Sequence, residues 1–338
     1  MTKNFFQRNL SWIIPISLIL ITVILSGLYI LNSKISISEP KVYLYIKPNT
    51  TKDELIKQIK SQDIVFNSLA FEFYSKIYRF YSPKSGRYAL ENGMKVNRMV
   101  KKLSRKHQDP IRLVIGKSRT KEDFANKISQ ELSFSSKELL DKLNDNKYLK
   151  QFGVDSLNSL SIVIPNTYEV YWDISVEGFL SRMYKESNKF WDKRNIENHP
   201  LDKREIIILA SIVEEETNKN DEKKRVAGVY INRLEKNMLL QADPTVKFAI
   251  GDFEIKRILG AMLNIDSPYN TYRNIGLPIG AICIPSISSI DAVVNYEKHD
   301  YFYFCAKEDF SGYHAFAKTY DEHLINARKY HNALNKNG

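Results

Sequence analysis

Three consecutive carboxylates, Glu214, Glu215 and Glu216, close an apolar segment, LASIVEEET (209–217). The longer stretch LDKREIIILASIVEEETNK (201–219) reads as a helix, with Asp202 at the N-cap and Glu205 at the capping-box position. At about 100° of rotation per residue, with Leu209 as origin, Ile212 falls at about −60°, Val213 at about +40° and Glu216 at about −20°. Glu216 thus lies on the apolar stripe. Glu214 falls on the opposite face, at about 140°, and Glu215 on the flank, at about −120°. A carboxyl on a buried stripe keeps its proton to higher pH, because desolvation disfavours the anion. That is what a general acid needs near neutrality. The alternative is a solvated charge run at a fraying helix end.

Two further polar groupings follow. In LLQADPTV (239–246), Gln241, Asp243 and Thr245 flank Pro244. They fit either a sugar-binding cleft or a helix start capped by Asp243. In SPYNTYRNIGLPIGAI (267–282), Tyr269, Asn270, Thr271 and Tyr272 combine aromatic faces with amide and hydroxyl groups. Such a surface suits sugar rings, and equally a structural loop. His314 and His323 match no metal-ligand spacing, so neither metal nor cofactor is expected. No activated Ser or Cys context, phosphate-binding loop or dinucleotide fingerprint is present. Cys283 and Cys305 lie on apolar segments and read as core residues.

The elements that must carry these groups begin with a membrane-type segment. Residues 12–31 (WIIPISLILITVILSGLYIL) hold no charge. They span about 30 Å as a helix, the thickness of a hydrocarbon core, with Trp12 and Tyr29 near the ends. The apolar run exceeds that of a signal peptide, so an uncleaved anchor is expected, with residues 1–11 as a short cytoplasmic tail. Residues 32–41 read as a stalk, followed by a strand (42–46), a capping box at Thr51 and Glu54, and a helix (53–62). A second helix (97–107) carries the basic run Lys101, Lys102, Arg105, Lys106 and His107, either a solvated face or a surface for anionic headgroups. A strand follows at 111–116, and 161–172 holds another strand, a Pro-Asn turn and an aromatic run.

The 338 residues, 43% apolar and 26% charged, allow two domains and a sizeable core. Two cysteines exclude a disulfide scaffold. The net charge of +11 implies an anionic partner or surface. The anchor argues against nucleic acid and for headgroups or wall polymers.

Four blocks, in order behind the anchor, resemble the endolytic murein transglycosylase family, the MltG or YceG-like proteins. They are LASIVEEET (209–217), VAGVYINRLEKNMLLQADPTV (226–246), SPYNTYRNIGLPIGAI (267–282), and YFYFCA with SGYHAF and the later Glu322-His323 (301–323). The resemblance implies an enzyme that cuts peptidoglycan strands internally at the MurNAc–GlcNAc bond, leaving 1,6-anhydroMurNAc ends and terminating strand elongation. It assigns Glu216 as the single acid/base and gives Glu214 a supporting role. Gln241, Asp243, Tyr269, Asn270 and Tyr272 are the candidates for holding the sugar. The implied fold class is α+β: a transmembrane helix (12–31), a LysM-like module (42–108) and a catalytic domain (109–335) of lysozyme-like helical character with added strands. The implied location is the inner membrane, single-pass, with the catalytic domain extracytoplasmic and strand synthases as expected partners. The chain departs from the family pattern at Pro165-Asn166-Thr167-Tyr168, Pro278-Ile279 and Ile284-Pro285-Ser286. Two rival readings stand: a hydrolase with Asp243 or Glu214 as second carboxylate, and a non-catalytic wall-binding scaffold.

Overall fold

The computed structural model describes residues 3–255 and 257–337; the side chains of 3–11 and of Asn337 are not described. Residues 1–2 of the expected cytoplasmic tail lie outside the described residues, and the rest of that tail continues the first helix. The chain divides into two compact units, residues 1–112 with 169–174, and 113–168 with 175–338.

The first unit opens with α1 (Lys3–Asn32), of which Trp12–Asn32 is long and apolar enough to cross a membrane. β1 (Lys41–Ile46), α2 (Lys52–Ser61), α3 (Ser68–Ile77), β2 (Gly86–Glu91) and α4 (Val96–Ser104) follow. β1 and β2 pair antiparallel, from Lys41 opposite Glu91 to Ile46 opposite Gly86. The capping box of Thr51 and Glu54 is present at the start of α2. Leu44, Ile46, Leu55, Ile59, Phe71, Tyr88, Met99 and Leu103 build the core. Asp173 holds the returning segment by accepting from Ser85 Oγ at 2.6 Å, Gln108 Nε2 at 2.9 Å and Lys106 Nζ at 2.8 Å. Within the basic run, Lys106 is therefore paired, and Lys102 pairs with Asp109 at 2.7 Å.

The expected stalk is not one. Ser36 bridges Val65 and Lys34 bridges Lys95, while Ile35 and Ile37 are only 2% and 5% exposed in the core. The alternation of Ser33, Ile35 and Ile37 with exposed residues is the period of a half-buried strand, which makes this segment part of the unit.

The chain continues through β3 (Ile111–Ile115), α5 (Lys121–Glu131), α6 (Ser136–Leu143), α7 (Asn146–Leu149), β4 (Asn166–Val170) and α8 (Val176–Trp191). β3 and β4 pair with each other. Then come α9 (Lys203–Glu216), α10 (Lys223–Glu235), α11 (Asp243–Ile250), α12 (Ile287–Val294), the antiparallel pair β5 (Tyr303–Ala306) and β6 (His314–Ala317), and α13 (Tyr320–Asn337). α9 starts at the expected capping box of Asp202 and Glu205. It is buried on every side rather than on one stripe: each residue from Ile206 to Val213 is in the interior. α10, α11 and α12 pack around it. Ser211, a polar residue inside this helix, donates to Ile208 O at 2.7 Å and accepts from Ile282 N at 3.0 Å. Gly228 on α10 sits where a Cβ would lie 2.3 Å from Glu297 O, so the chain after α12 can approach only a glycine there.

The packing of Ile35 and Ile37 sets where a soluble fragment can begin. Each buried isoleucine contributes roughly 1.5–3 kcal/mol. A fragment starting at residue 40 is expected to unfold at markedly lower urea concentration than one starting at residue 33. Equal midpoints would show that the segment adds nothing to the unit.

Candidate active site at the end of the buried helix

α9 leaves the core at its three glutamates, and each meets different neighbours. Glu214 faces the N-terminus of α12. Its Oε2 accepts from Ser286 Oγ and Ser289 Oγ, both at 2.5 Å, from Ser286 N at 3.3 Å and from the buried Lys223 ammonium at 3.2 Å. Burial pushes this carboxyl up, but the two serines and Lys223 outweigh it and hold it below the ordinary carboxylate range. Glu214 is thus not on a solvated face, as the rotation angles imply. α12 covers that side of α9, which periodicity along one helix cannot reveal.

Glu215 faces Lys117 and Arg119. Lys117 Nζ lies 2.6 Å from Oε1, and Arg119 donates through Nε at 3.2 Å and Nη2 at 3.0 Å. Here too burial raises the carboxyl while the paired cations pull it down further, leaving it below its ordinary value.

Glu216 receives no such partner. The Tyr230 hydroxyl, on the buried face of α10, donates a long hydrogen bond of 3.4 Å to Oε2. Burial dominates and lifts the carboxyl from 4.5 to about 7. His314 and Arg233 oppose the rise, Asp243 adds to it, and the Tyr230 bond opposes it. Near neutral pH, Glu216 is therefore poised between acid and base, while the two glutamates before it are anions.

The sequence candidates around Glu216 divide into two groups. Asp243 and Tyr272 stand close enough to be felt by it. The Tyr272 hydroxyl donates to Asp243 Oδ1 at 2.6 Å, and its own ionisation is pushed well up by burial and by that carboxylate. Asp243 does not cap α11; it occupies the first turn, with its carboxylate given to Tyr272. Gln241 is exposed, with a left-handed backbone (φ 49°), and its N–H donates to Thr271 O at 3.1 Å. A buried contact between Thr245 Oγ1 and Thr271 Oγ1 at 2.9 Å ties the two loops together.

Asn270 and Tyr269 point elsewhere. The fully buried Asn270 amide donates to Leu263 O at 2.9 Å and Ile265 O at 2.8 Å, and its oxygen accepts from Tyr272 N at 3.0 Å. It shapes the loop that presents Tyr272. Tyr269 packs on Phe248, with ring centroids 4.7 Å apart, and lines a cavity with Leu157, Asn158 and Ile207 whose walls do not include Glu216.

Other groups here escaped the sequence reading. Glu222, buried, accepts from the His314 backbone N–H and from its Nδ1, both at 2.8 Å, and from Thr217 Oγ1 at 3.3 Å. Arg233, also buried, donates to Phe302 O at 2.6 Å and Leu240 O at 2.8 Å. Tyr230 reads in sequence as one more apolar stripe residue, and nothing in its spacing signals the hydroxyl's partner. His323 lies beside the Tyr303 ring at 5.5 Å. Among the described residues, no cluster of His, Cys, Asp or Glu could hold a metal ion, and Cys283 and Cys305 are unpaired.

Comparison with known proteins gives this site its context. The model of the YceG-like family matches residues 44–329. The chain belongs to the YceG-like family. A relative named endolytic murein transglycosylase, from Bacillus subtilis, is 28% identical over 88% of this chain and 87% of its own length. A Streptococcus pneumoniae protein of the same name is 27% identical over 82% of this chain, which spans only 57% of that longer relative. A crystal structure of a yceG-like protein from Listeria monocytogenes is 28% identical, with a TM-score of 0.55, over 85% of this chain and 99% of the other. The YceG-like fold is thus shared, with the apolar N-terminal helix in front of it.

The Glu216 environment has a consequence for stability. Its carboxyl holds a proton to about pH 7 when folded, against 4.5 ordinarily. Between those values the folded state binds more protons than the unfolded one, so its stability falls as pH rises. Glu216→Gln removes that slope. The variant is expected to exceed the parent by about 1–3 kcal/mol at about pH 8 and to match it near pH 4, by urea denaturation. A variant less stable at both pH values would contradict the raised carboxyl.

Proposed function

We propose that this chain is a lytic transglycosylase that cuts within peptidoglycan glycan strands, with Glu216 as its acid and base. The observation that carries this reading is Glu216 held by a single long hydrogen bond from Tyr230, beside two glutamates that are each paired with cations. The named activity of the relatives, shared over most of the chain, supports the substrate class.

In the first step protonated Glu216 donates to the glycosidic oxygen as the bond from muramyl C1 breaks. The GlcNAc end leaves as an alcohol. The carboxylate then takes the proton of the muramyl C6 hydroxyl while its oxygen bonds to C1. A 1,6-anhydro ring closes, Glu216 regains its proton, and no water enters. Ordinary glycosidases place two carboxylates across the bond. One suffices here because the nucleophile belongs to the substrate, which gives it a high effective concentration. Asp243, which accepts from Tyr272, is our candidate for stabilising positive charge developing at C1. Gln241 borders the same loops. Asn270 and Tyr269 act on the shape of the wall rather than on the sugar.

The first unit, with its order β1-α2-α3-β2 and antiparallel outer strands, supports the reading of a LysM-like module over 42–108. Trp12–Asn32 supports a single-pass anchor in the cytoplasmic membrane with the catalytic unit outside. An anchored strand cutter suits termination of nascent strands beside their synthases.

One observation favours a second reading. Asp243 is an exposed carboxylate near Glu216, as a water-activating base would be. The full-length chain, digesting purified peptidoglycan in detergent, separates the two by mass spectrometry of the released ends. Ends lighter by one water are expected, with the rate lowered about a hundredfold or more in Glu216→Gln. Reducing ends would assign a hydrolase. The rate of the parent should also fall above about pH 7 as Glu216 ionises. Asp243→Asn should move that limb to lower pH, since a like charge is removed. An unmoved limb would separate Asp243 from the acid.

A further inference from the structure

α3 carries apolar residues on its buried side and, on its exposed side, an apolar row beside the polar row of Ser68, Glu72 and Lys76. One face supplies Ala70, Phe71 and Tyr74 to the core of the first unit. The other presents Leu69, Phe73 and Ile77, spaced four apart and 72%, 42% and 55% exposed. Val65 before the helix (68%) and Tyr81 after it (81%) are also exposed. A row of three large apolar side chains left in water along one helix is costly unless something covers it. Exposed apolar side chains aligned in such a row mark an interaction site.

The position of this patch identifies what covers it. α1 packs against α3 within the first unit. Ile30, two residues before the end of α1, joins the core of that unit, whereas the span preceding it is unburied. Val65 pairs with Ser36, only four residues beyond α1. α3 and Val65 thus stand at the foot of the apolar span, where a bilayer crossed by α1 would end. The polar groups nearby fit a headgroup layer. Lys34, Lys76 and Arg79 are exposed, and Glu72 on α3 is neutralised by Lys52 at 2.8 Å, with Asp63 the remaining acid of the preceding turn. Exposed Phe73 and Tyr81 are of the residue types that settle at the membrane–water boundary.

We propose that the outer face of α3, with Val65 and Tyr81, lies in the lipid interface beside the anchor, its cations on anionic phospholipid headgroups. This proposal rests on the reading of Trp12–Asn32 as a membrane span. Two contacts with the bilayer, one crossing it and one lying on it, fix the orientation of the first unit at the surface. The patch accounts for part of the net positive charge in terms of headgroup attraction.

The test uses the native full-length chain, one copy per lipid nanodisc, with phosphatidylglycerol carrying a photoactivatable group at its glycerol level. After illumination, adducts are mapped by mass spectrometry. Adducts are expected on α1 and on at least two of Leu69, Phe73, Ile77 and Tyr81, and not on the exposed turn at Pro48–Asn49. Adducts on α1 alone would overturn the docking of α3 while leaving the anchor in place. Adducts on neither segment would overturn the anchor reading as well. One copy per disc excludes a second copy as the source of any protection. In a parallel sample, α3 amides should exchange with deuterium several-fold more slowly in discs than in a short-chain detergent; equal rates would also count against the proposal.

Discussion

Everything at the site follows from the cost of ending a fully buried helix in three carboxylates. An ionised carboxylate leaves water only at a large free-energy cost unless charge or hydrogen bonds replace the solvent. The fold meets that demand twice at the end of α9 and declines to meet it a third time. Glu214 takes two hydroxyls, a backbone N–H and an ammonium; Glu215 takes an ammonium and a guanidinium. Glu216 is left with one long bond from a tyrosine and a neighbouring carboxylate. Identical side chains thus acquire different proton affinities through the partners supplied to them.

The same pairings assemble the surrounding elements. Glu214 bonds Ser286, the N-cap of α12, and so fixes that helix against α9. Glu222 joins Thr217, the residue after the acid, to His314 on β6. The Thr245 and Thr271 contact aligns the start of α11 with the loop that carries Tyr272. Each tie is made of groups that burial would otherwise penalise, which gives each a reason to be complete. The Glu216 carboxyl is the exception, and its residual penalty is the free energy that raises its affinity for a proton.

Much of this was legible in the residues. Both the box at Thr51 and Glu54 and the one at Asp202 and Glu205 start helices where their spacing places them. Glu216 stood out because a carboxylate on an apolar stripe conflicts with its surroundings. The environments of its two neighbours were not legible, because helical rotation describes one helix and not the elements packed on its other sides. α12 and the 117–119 segment turned the presumed outer faces of Glu214 and Glu215 into half-buried ones. Asn270 looked like a sugar ligand because an amide next to tyrosines has the same composition whether it faces a cleft or braces a loop. The segment after the anchor read as a stalk because a short run of Ser and Ile shows its period-two pattern only when a partner strand is known.

The account stands on Glu216 holding its proton while Glu214 and Glu215 do not. Direct titration of the side-chain carboxyl carbons by 13C NMR, with 13C-labelled glutamate and Glu216→Gln to assign the signal, reads this without reference to activity. The expected result is a carboxyl that titrates near pH 7 and vanishes in the variant, with Glu214 and Glu215 titrating below the ordinary carboxylate range. A Glu216 signal that titrates alongside exposed glutamates, near pH 4.5, would contradict it.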